Sequence, residues 1–367
     1  MPFQVSPGVN VSEVDLTTVV PSVSTTEGGI AGHFTWGPVD QRVLISSEDL
    51  LVAHFSKPSA DSYESFFTAA SFLSYGNALY VVRANATGLK NATSNDGNSA
   101  ITLIKNSDDY VNNYSSGISN IGAWAAKYPG ALGNSLKVSV CPGSIPYKSA
   151  LLGTFSVTSN TTSLIFSANQ ASSLVAGDIL EVGPTLGAKQ DIKISSVAAN
   201  GTSVTLSTTY TGVTVSGNTA ITRKWEYSGS TSRAPTTTAF ATNTGSSNDA
   251  MHVAVIDEDG LWTGIKGSVL EVFEAVSKAS DAKDSTGASN YYKDVLNSRS
   301  KYIWWASHNG ISLAGSASNG ITYGTGNLNL TVSLVNGSNG TAATAGEINT
   351  ALDKFKNSED VDVSFSM

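Results

Sequence analysis

A single cysteine, Cys141, stands among 367 residues. One thiol excludes an intrachain disulfide framework and a multi-cysteine metal site. It lies in an apolar, strand-like run and reads as a small buried hydrophobe. Charge is also scarce: Asp, Glu, Lys and Arg make up 14% of the chain, where about a quarter is usual. The balance is −8 and only five arginines are present. No basic cluster exceeds two residues, so no nucleic-acid partner is expected. No apolar run approaches the roughly 20 residues a bilayer requires, so no direct membrane insertion is expected. The start lacks the basic and apolar regions of a secretory leader.

Chemical motifs are missing as well. His33, His54, His252 and His308 are scattered without ligand-like neighbours. There is no H-E-x-x-H pair, no G-x-S-x-G elbow and no G-x-x-x-x-G-K-[ST] loop. Gly324-Thr325-Gly326 lacks the third glycine of a dinucleotide motif, and Asp257-Glu258-Asp259 lacks calcium-loop spacing and reads as a solvated turn. Trp304-Trp305 suggests a carbohydrate platform. Adjacent strand residues point to opposite faces, however, which favours two core contacts. No catalytic residue, no metal and no cofactor is expected, and an enzyme is the least supported reading.

What is present is Gly, Ser, Thr and Asn in abundance, in a chain too long for one ordinary core. A polar but weakly charged surface suits a protein that sits against copies of itself. A β-rich protein without self-assembly fits the same composition. The first residues are the most informative. Val9 and Val11 share one side of an extended ribbon, and Val14 and Leu16 share one side after a phase slip, as at a β-bulge. Val19 and Val20 complete the ribbon before Pro21. It has no adjacent partner strand, and a lone strand is unstable in water. It therefore pairs on its own body or on a neighbouring molecule, the neighbour being preferred. Pro21 to Gly29, with Gly28 and Gly29 at its end, reads as a hinge.

The rest reads as α/β (mixed-sheet core) with an inserted all-β domain and an extended amino-terminal arm. Residues 1–27 form arm and hinge, and 28–144 plus 248–367 a discontinuous α/β core. Residues 145–230 form the insert and 231–247 a linker. In the core, strands are expected at 29–34, 43–45, 78–84, 100–104, 136–140, 251–256, 302–306 and 328–334. Helices are expected after Ser47, after an Asp61/Glu64 capping box with Gly76 as terminator, after a Ser268/Glu271 box, at 290–298, and after a Thr344/Glu347 box. The insert is read from short alternating strands every eight to twelve residues, the rhythm of a small barrel or sandwich. No internal repeat is evident.

Several segments resemble the contractile tail sheath proteins of myovirus-type bacteriophages. They are Ser6-Pro7-Gly8-Val9-Asn10-Val11-Ser12-Glu13-Val14, Gly32 to Pro38, Leu50 to Phe55, Tyr75-Gly76-Asn77, Leu79 to Ala84, Tyr128-Pro129-Gly130-Ala131-Leu132-Gly133-Asn134 and Tyr302 to Ala306. Their order covers roughly residues 5–84, 124–142 and 250–366. The resemblance implies a structural subunit that assembles with itself in hexameric rings and a helical stack around a tail tube protein. It further implies contraction that drives the tube through the host envelope, with baseplate and tail terminator proteins as partners. The implied location is the virion, after assembly in the host cytoplasm. The arm would add a strand to a neighbour's carboxy-terminal domain. This chain stops where that domain is expected to start. The alternative is a virion or cell-surface β-rich glycan-binding or adhesin module.

Overall fold

The computed structural model describes residues 27–94, 102–151, 153–184, 186–219, 221–311 and 315–367. The described part opens with β1 (Gly28–Gly32), β2 (Arg42–Ile45), α1 (Glu48–Phe55), α2 (Tyr63–Leu73) and β3 (Leu79–Arg83). Strand β3 lies between β1, to which it is parallel, and β2, to which it is antiparallel. Ser47 caps α1 by accepting from the Leu50 amide. Ser62, not Asp61, is the N-cap of α2, and it makes no side-chain cap bond. Helix α2 ends at Leu73 with Ser74 as its C-cap, two residues before the expected Gly76. The Gly76 amide still donates to the Phe72 carbonyl.

Next come β4 (Leu89–Lys90), α3 (Ser107–Asp109), β5 (Trp124–Ala126), β6 (Leu136–Cys141) and α4 (Ser144–Tyr147). Of the strand expected at 100–104, residues 102–104 are described and are not strand. Side-chain bonds from Asn91 hold them instead, including Ile104 N to Asn91 Oδ1 at 2.7 Å.

Residues 148–224 then form eight strands: β7 (Lys148–Ala150), β8 (Thr154–Val157), β9 (Thr161–Phe166), β10 (Ile179–Val182), β11 (Gln190–Val197), β12 (Ser203–Tyr210), β13 (Val215–Thr219) and β14 (Thr222–Lys224). All pair antiparallel, in the order β13-β8-β9-β12-β11-β10-β14-β7. Alternate residues such as Phe155, Leu164, Leu180, Ile192, Val204 and Leu206 fill one shared core, so the sheet curls over its own inner face.

The chain returns through α5 (Ala239–Asn243), β15 (Ala250–Asp257), β16 (Ser268–Ser277), α6 (Tyr292–Arg299), β17 (Ile303–Trp305), β18 (Leu330–Ser333), β19 (Ser338–Asn339), α7 (Ala345–Leu352) and β20 (Phe365–Ser366). Strands β16-β15-β6-β18 form an antiparallel sheet. Two smaller pairs, β17-β5 and β19-β4, complete the body. Thr344 and Glu347 make the expected capping box on α7. The segment 268–276 is a strand and not the expected helix. The Ser268 hydroxyl donates to the Ile265 carbonyl, while Glu271 accepts from Ser300 and Lys301.

The first sheet is covered on both faces. Ile30 and Val81 pack under α1 and α2, and Ala31 and Val82 pack under α7. The second sheet has Val138, Val140, Val253 and Val255 in the main core, with Trp124, Ile303 and Trp305. Its other face carries Cys141, Ala254 and Ile256 under Trp225 and Tyr227. Cys141 is fully buried, and burial pushes its thiol up to about 12. Each large apolar side chain buried in these cores is worth about 1.5–3 kcal/mol.

Candidate assembly site

Three of the segments that carry the sheath resemblance, Gly32 to Pro38, Leu79 to Ala84 and Tyr128 to Asn134, meet in space. Arg83 ends β3 with its guanidinium buried, 1% exposed. Its Nη1 donates to the Gly37 carbonyl at 3.0 Å and to the Pro129 carbonyl at 2.7 Å. One side chain thus ties the Gly32–Pro38 loop to the Tyr128–Asn134 turn, more than forty residues away in each direction. Desolvation pulls its pKa down to about 9. Trp36 stands beside this junction, edge-on to Tyr128 at 5.6 Å and to Trp262 at 4.9 Å between ring centres.

The turn itself is pinned from the far end of the chain. Asn134 exchanges two bonds with the Gly337 backbone, at 3.0 and 2.7 Å, and Asn339 Oδ1 accepts from the Ala131 amide at 2.8 Å. Gly130 holds φ +150°, and a Cβ there would fall 2.4 Å from the Thr35 carbonyl oxygen. Only glycine fits that approach. Sequence reading singled out these motifs but not Arg83 as their link. The available signal was a lone arginine at the end of an otherwise apolar strand.

The proposed arm residues Val9, Val11, Val14, Leu16, Val19 and Val20, and Pro21 of the hinge, lie outside the described residues. Gly28 and Gly29 are strand residues in β1, flanked by β3 and β20. A Cβ on Gly28 would meet the Phe72 ring at 2.6 Å, and one on Gly29 would meet Val363 at 3.0 Å. Their lack of a side chain therefore admits close packing, which is a different reason from hinge freedom. Just ahead of them the Glu27 carbonyl accepts from the Ser364 amide at 2.9 Å and from Phe365 at 3.3 Å. The Met367 amide donates to the Gly29 carbonyl at 2.8 Å. The root of the amino-terminal segment is thus fastened to the last strand. On the surface of α2, Tyr63 and Phe67 stand one turn apart, both more than half exposed.

Several polar and aromatic groups are engaged inside the fold. His252 is buried. Its Nε2 donates to the Arg233 carbonyl at 2.7 Å and its Nδ1 accepts from the Ala275 amide at 2.9 Å, which fixes a neutral tautomer. Burial lowers the pKa of all four histidines. Asp257 is not a solvated turn residue. It is fully buried and accepts from Ser135, Trp262 and Thr263. Trp304 and Trp305 are each 3% exposed and enter two different cores, so neither forms a surface platform. Lys127 lies with Nζ 3.2 Å from the centre of the Trp304 ring. Burial lowers its pKa to about 7, against the opposing pull of Glu271. Among the described residues no group of His, Cys, Asp and Glu could hold a metal ion, and no helix is long and apolar enough to cross a membrane.

No family model matches the chain. Curated relatives are similar to it. The tail sheath protein of Salmonella phage ViI is 27% identical over 335 residues, which is 82% of this chain and 49% of that protein. The tail sheath protein of Enterobacteria phage T4 is 36% identical over 107 residues, 29% of this chain and 16% of that protein. That of Vibrio phage KVP40 is 38% identical over 89 residues, 24% of this chain and 13% of that protein. The chain therefore spans at most about half the length of these relatives. Among solved structures, the sheath tail protein of Desulfitobacterium hafniense aligns with a TM-score of 0.35 and 8% identity, covering 96% of this chain and 43% of that one. The sheath tail protein of Listeria innocua aligns with a TM-score of 0.22 and 17% identity, covering 53% and 34%. The likeness carried by the motifs is thus borne out along most of the sequence: the chain is similar to phage tail sheath proteins over 82% of its length.

Proposed function

We propose that this chain is a structural, non-enzymatic subunit, or a part of one, of a phage contractile tail sheath. It assembles with copies of itself around a tail tube and contracts to drive the tube through the host envelope. The observation that carries this reading is the similarity to tail sheath proteins over 82% of the chain, joined to the meeting of three of the sheath-like segments at Arg83. In this reading the core is residues 28–144 plus 248–367, and residues 145–230 are a domain inserted into it. The ribbon Val9 to Val20 leaves the body at Glu27 and adds a strand to a sister subunit. Backbone hydrogen bonds give such a joint its direction, and alternate side chains fill its pockets. The hinge lies ahead of Gly28, since Gly28 and Gly29 are paired on both sides.

Deleting residues 1–20 from the full-length protein tests this. The expected product is a folded monomer that no longer forms the rings or tubes seen by electron microscopy of the intact protein. Tubes formed equally well by the truncated protein would overturn the arm, and an intact protein that stays monomeric at high concentration would overturn the sheath reading itself. Of the two features behind the adhesin alternative, Trp304 and Trp305 are buried, which leaves it the Ser/Thr/Asn-rich β insert.

A further inference from the structure

We propose that the eight-stranded region is fastened to the body by one buried polar knot, centred on Arg223, which makes the two parts move as a single piece. Arg223, at the centre of β14, is completely buried. Its Nη2 donates to the Ile145 carbonyl at 3.0 Å and to the Asn327 carbonyl at 2.7 Å. Its Nη1 donates to the Ser173 carbonyl and lies 3.5 Å from Asp178 Oδ2. Asp178, 1% exposed, receives Asn329 Nδ2 at 2.7 Å on its other oxygen. Asn329 also donates to the Pro146 carbonyl at 3.0 Å. The knot therefore binds the entry at 145–146, the segment 173–178 and the exit at Arg223 to residues 327 and 329 of the body.

Two features give this point more weight than an ordinary contact. First, the packing beside it is loose. An open cleft of ≈ 440 Å³ lies between Val175 and Ala176 on one side and Val140, Leu330 and Val332 on the other. A second, of ≈ 330 Å³, lies between Ser172 and Pro142, Lys278 and Asn327. Clefts open to solvent keep these walls out of mutual contact, so apolar packing is a weak fastener along this stretch. Second, a buried charge pair is all or none. Removing either partner strands the other charge in a low-dielectric site. Beside the knot, Trp225 Nε1 donates to Ser139 Oγ at 2.8 Å, and the indole covers the sheet face at Ala254 and Ile256. A knot that loosens therefore frees the edge of that plate as well.

The segment read from sequence as a loose linker, 231–247, is consistent with this. It contains α5, and Thr238 donates to the buried Asp249 through both its amide and its hydroxyl, each at 2.8 Å. The inference stands apart from the sheath reading, since it concerns one chain.

Hydrogen exchange and calorimetry on the full chain test it, with Arg223→Met and Asn329→Ala beside the unmodified protein. The unmodified protein is expected to melt in one transition. In Arg223→Met, exchange should rise at least tenfold at 142–147, 172–178 and 325–330, while 190–210 keeps its protection, and the melt should split in two. If Arg223→Met does not fold, Asn329→Ala alone decides, with the same pattern expected at smaller amplitude. Exchange unchanged at these three segments would overturn the proposal. Equal loss of protection at 190–210 would do so too, because the knot would then be holding the sheet itself together.

Discussion

The first sheet and the eight-stranded sheet bury their strands in different ways. In β3 successive residues point to opposite faces and both faces are covered by helices, so Leu79, Val81 and Val82 are all buried. In β12, Val204, Leu206 and Tyr210 point inward while Thr205 points to solvent. Charged side chains differ in depth within both regions, and Arg223 of β14 is as deeply buried as Arg83. Arg83 is sunk among carbonyls in the body, whereas Lys224 sits at the surface of the second region between Glu181, at 2.7 Å, and Asp191, at 2.9 Å. Depth, not number, sets what a charged side chain is worth here.

The largest effect is expected from Arg83→Ala. It leaves the Gly37 and Pro129 carbonyls without their donor and opens a void, at a cost of about 3–5 kcal/mol. Denaturant unfolding should show a midpoint shift of that size, and Arg83→Lys should recover only part of it, since one ammonium lacks the planar fork. A loss below about 1 kcal/mol would erase the contrast between the two regions.

A smaller effect is expected from pH. The Lys127 pKa falls to about 7 in the folded chain, below its ordinary 10.5. Between those values the unfolded chain holds a proton that the folded chain has released, so stability rises with pH across that window. Below pH 7 both states are charged and the burial cost stands in full. The Tm gained between pH 7 and pH 9 should be smaller in Lys127→Met than in the unmodified protein. Equal gains would assign the pH dependence to other groups, Lys278 among them, whose pKa burial also lowers, to about 8.

The smallest effect is expected from Lys193→Ala in the second region. It removes a half-exposed pair with Glu226 and should cost about 0–1 kcal/mol. Added salt should shrink the difference further. A loss matching that of Arg83→Ala would break the comparison from its other side.

Much of this was legible in the residues. The two-residue alternation marked β8 to β12, and the capping box marked α7. The strand β16 was not legible, and its pairing explains why. Met251 pairs with Val276 and Val253 with Phe273, so β16 spends three residues where β15 spends two. A second slip falls between Val255 and Ile256. These bulges space Val269, Val272, Phe273 and Val276 as a helix face would, and Ala275 takes a positive φ of 55° between them. The Arg83 junction was hidden for another reason. Its acceptors are main-chain carbonyls, which carry no residue signature, and they lie far away in sequence. Asp257 was misread because its partner Ser135 lies far away in sequence and reaches it only through the pairing of β6 with β15.

The position of β1 between two parallel neighbours has a mechanical side. A pull on the chain ahead of Glu27 acts lengthwise on β1, while β3 and β20 hold it from either flank. Bonds arranged across the line of force must slide together and cannot be peeled off one after another. Traction on that end is therefore resisted by the whole width of the strand, and the load passes at once into the body behind it.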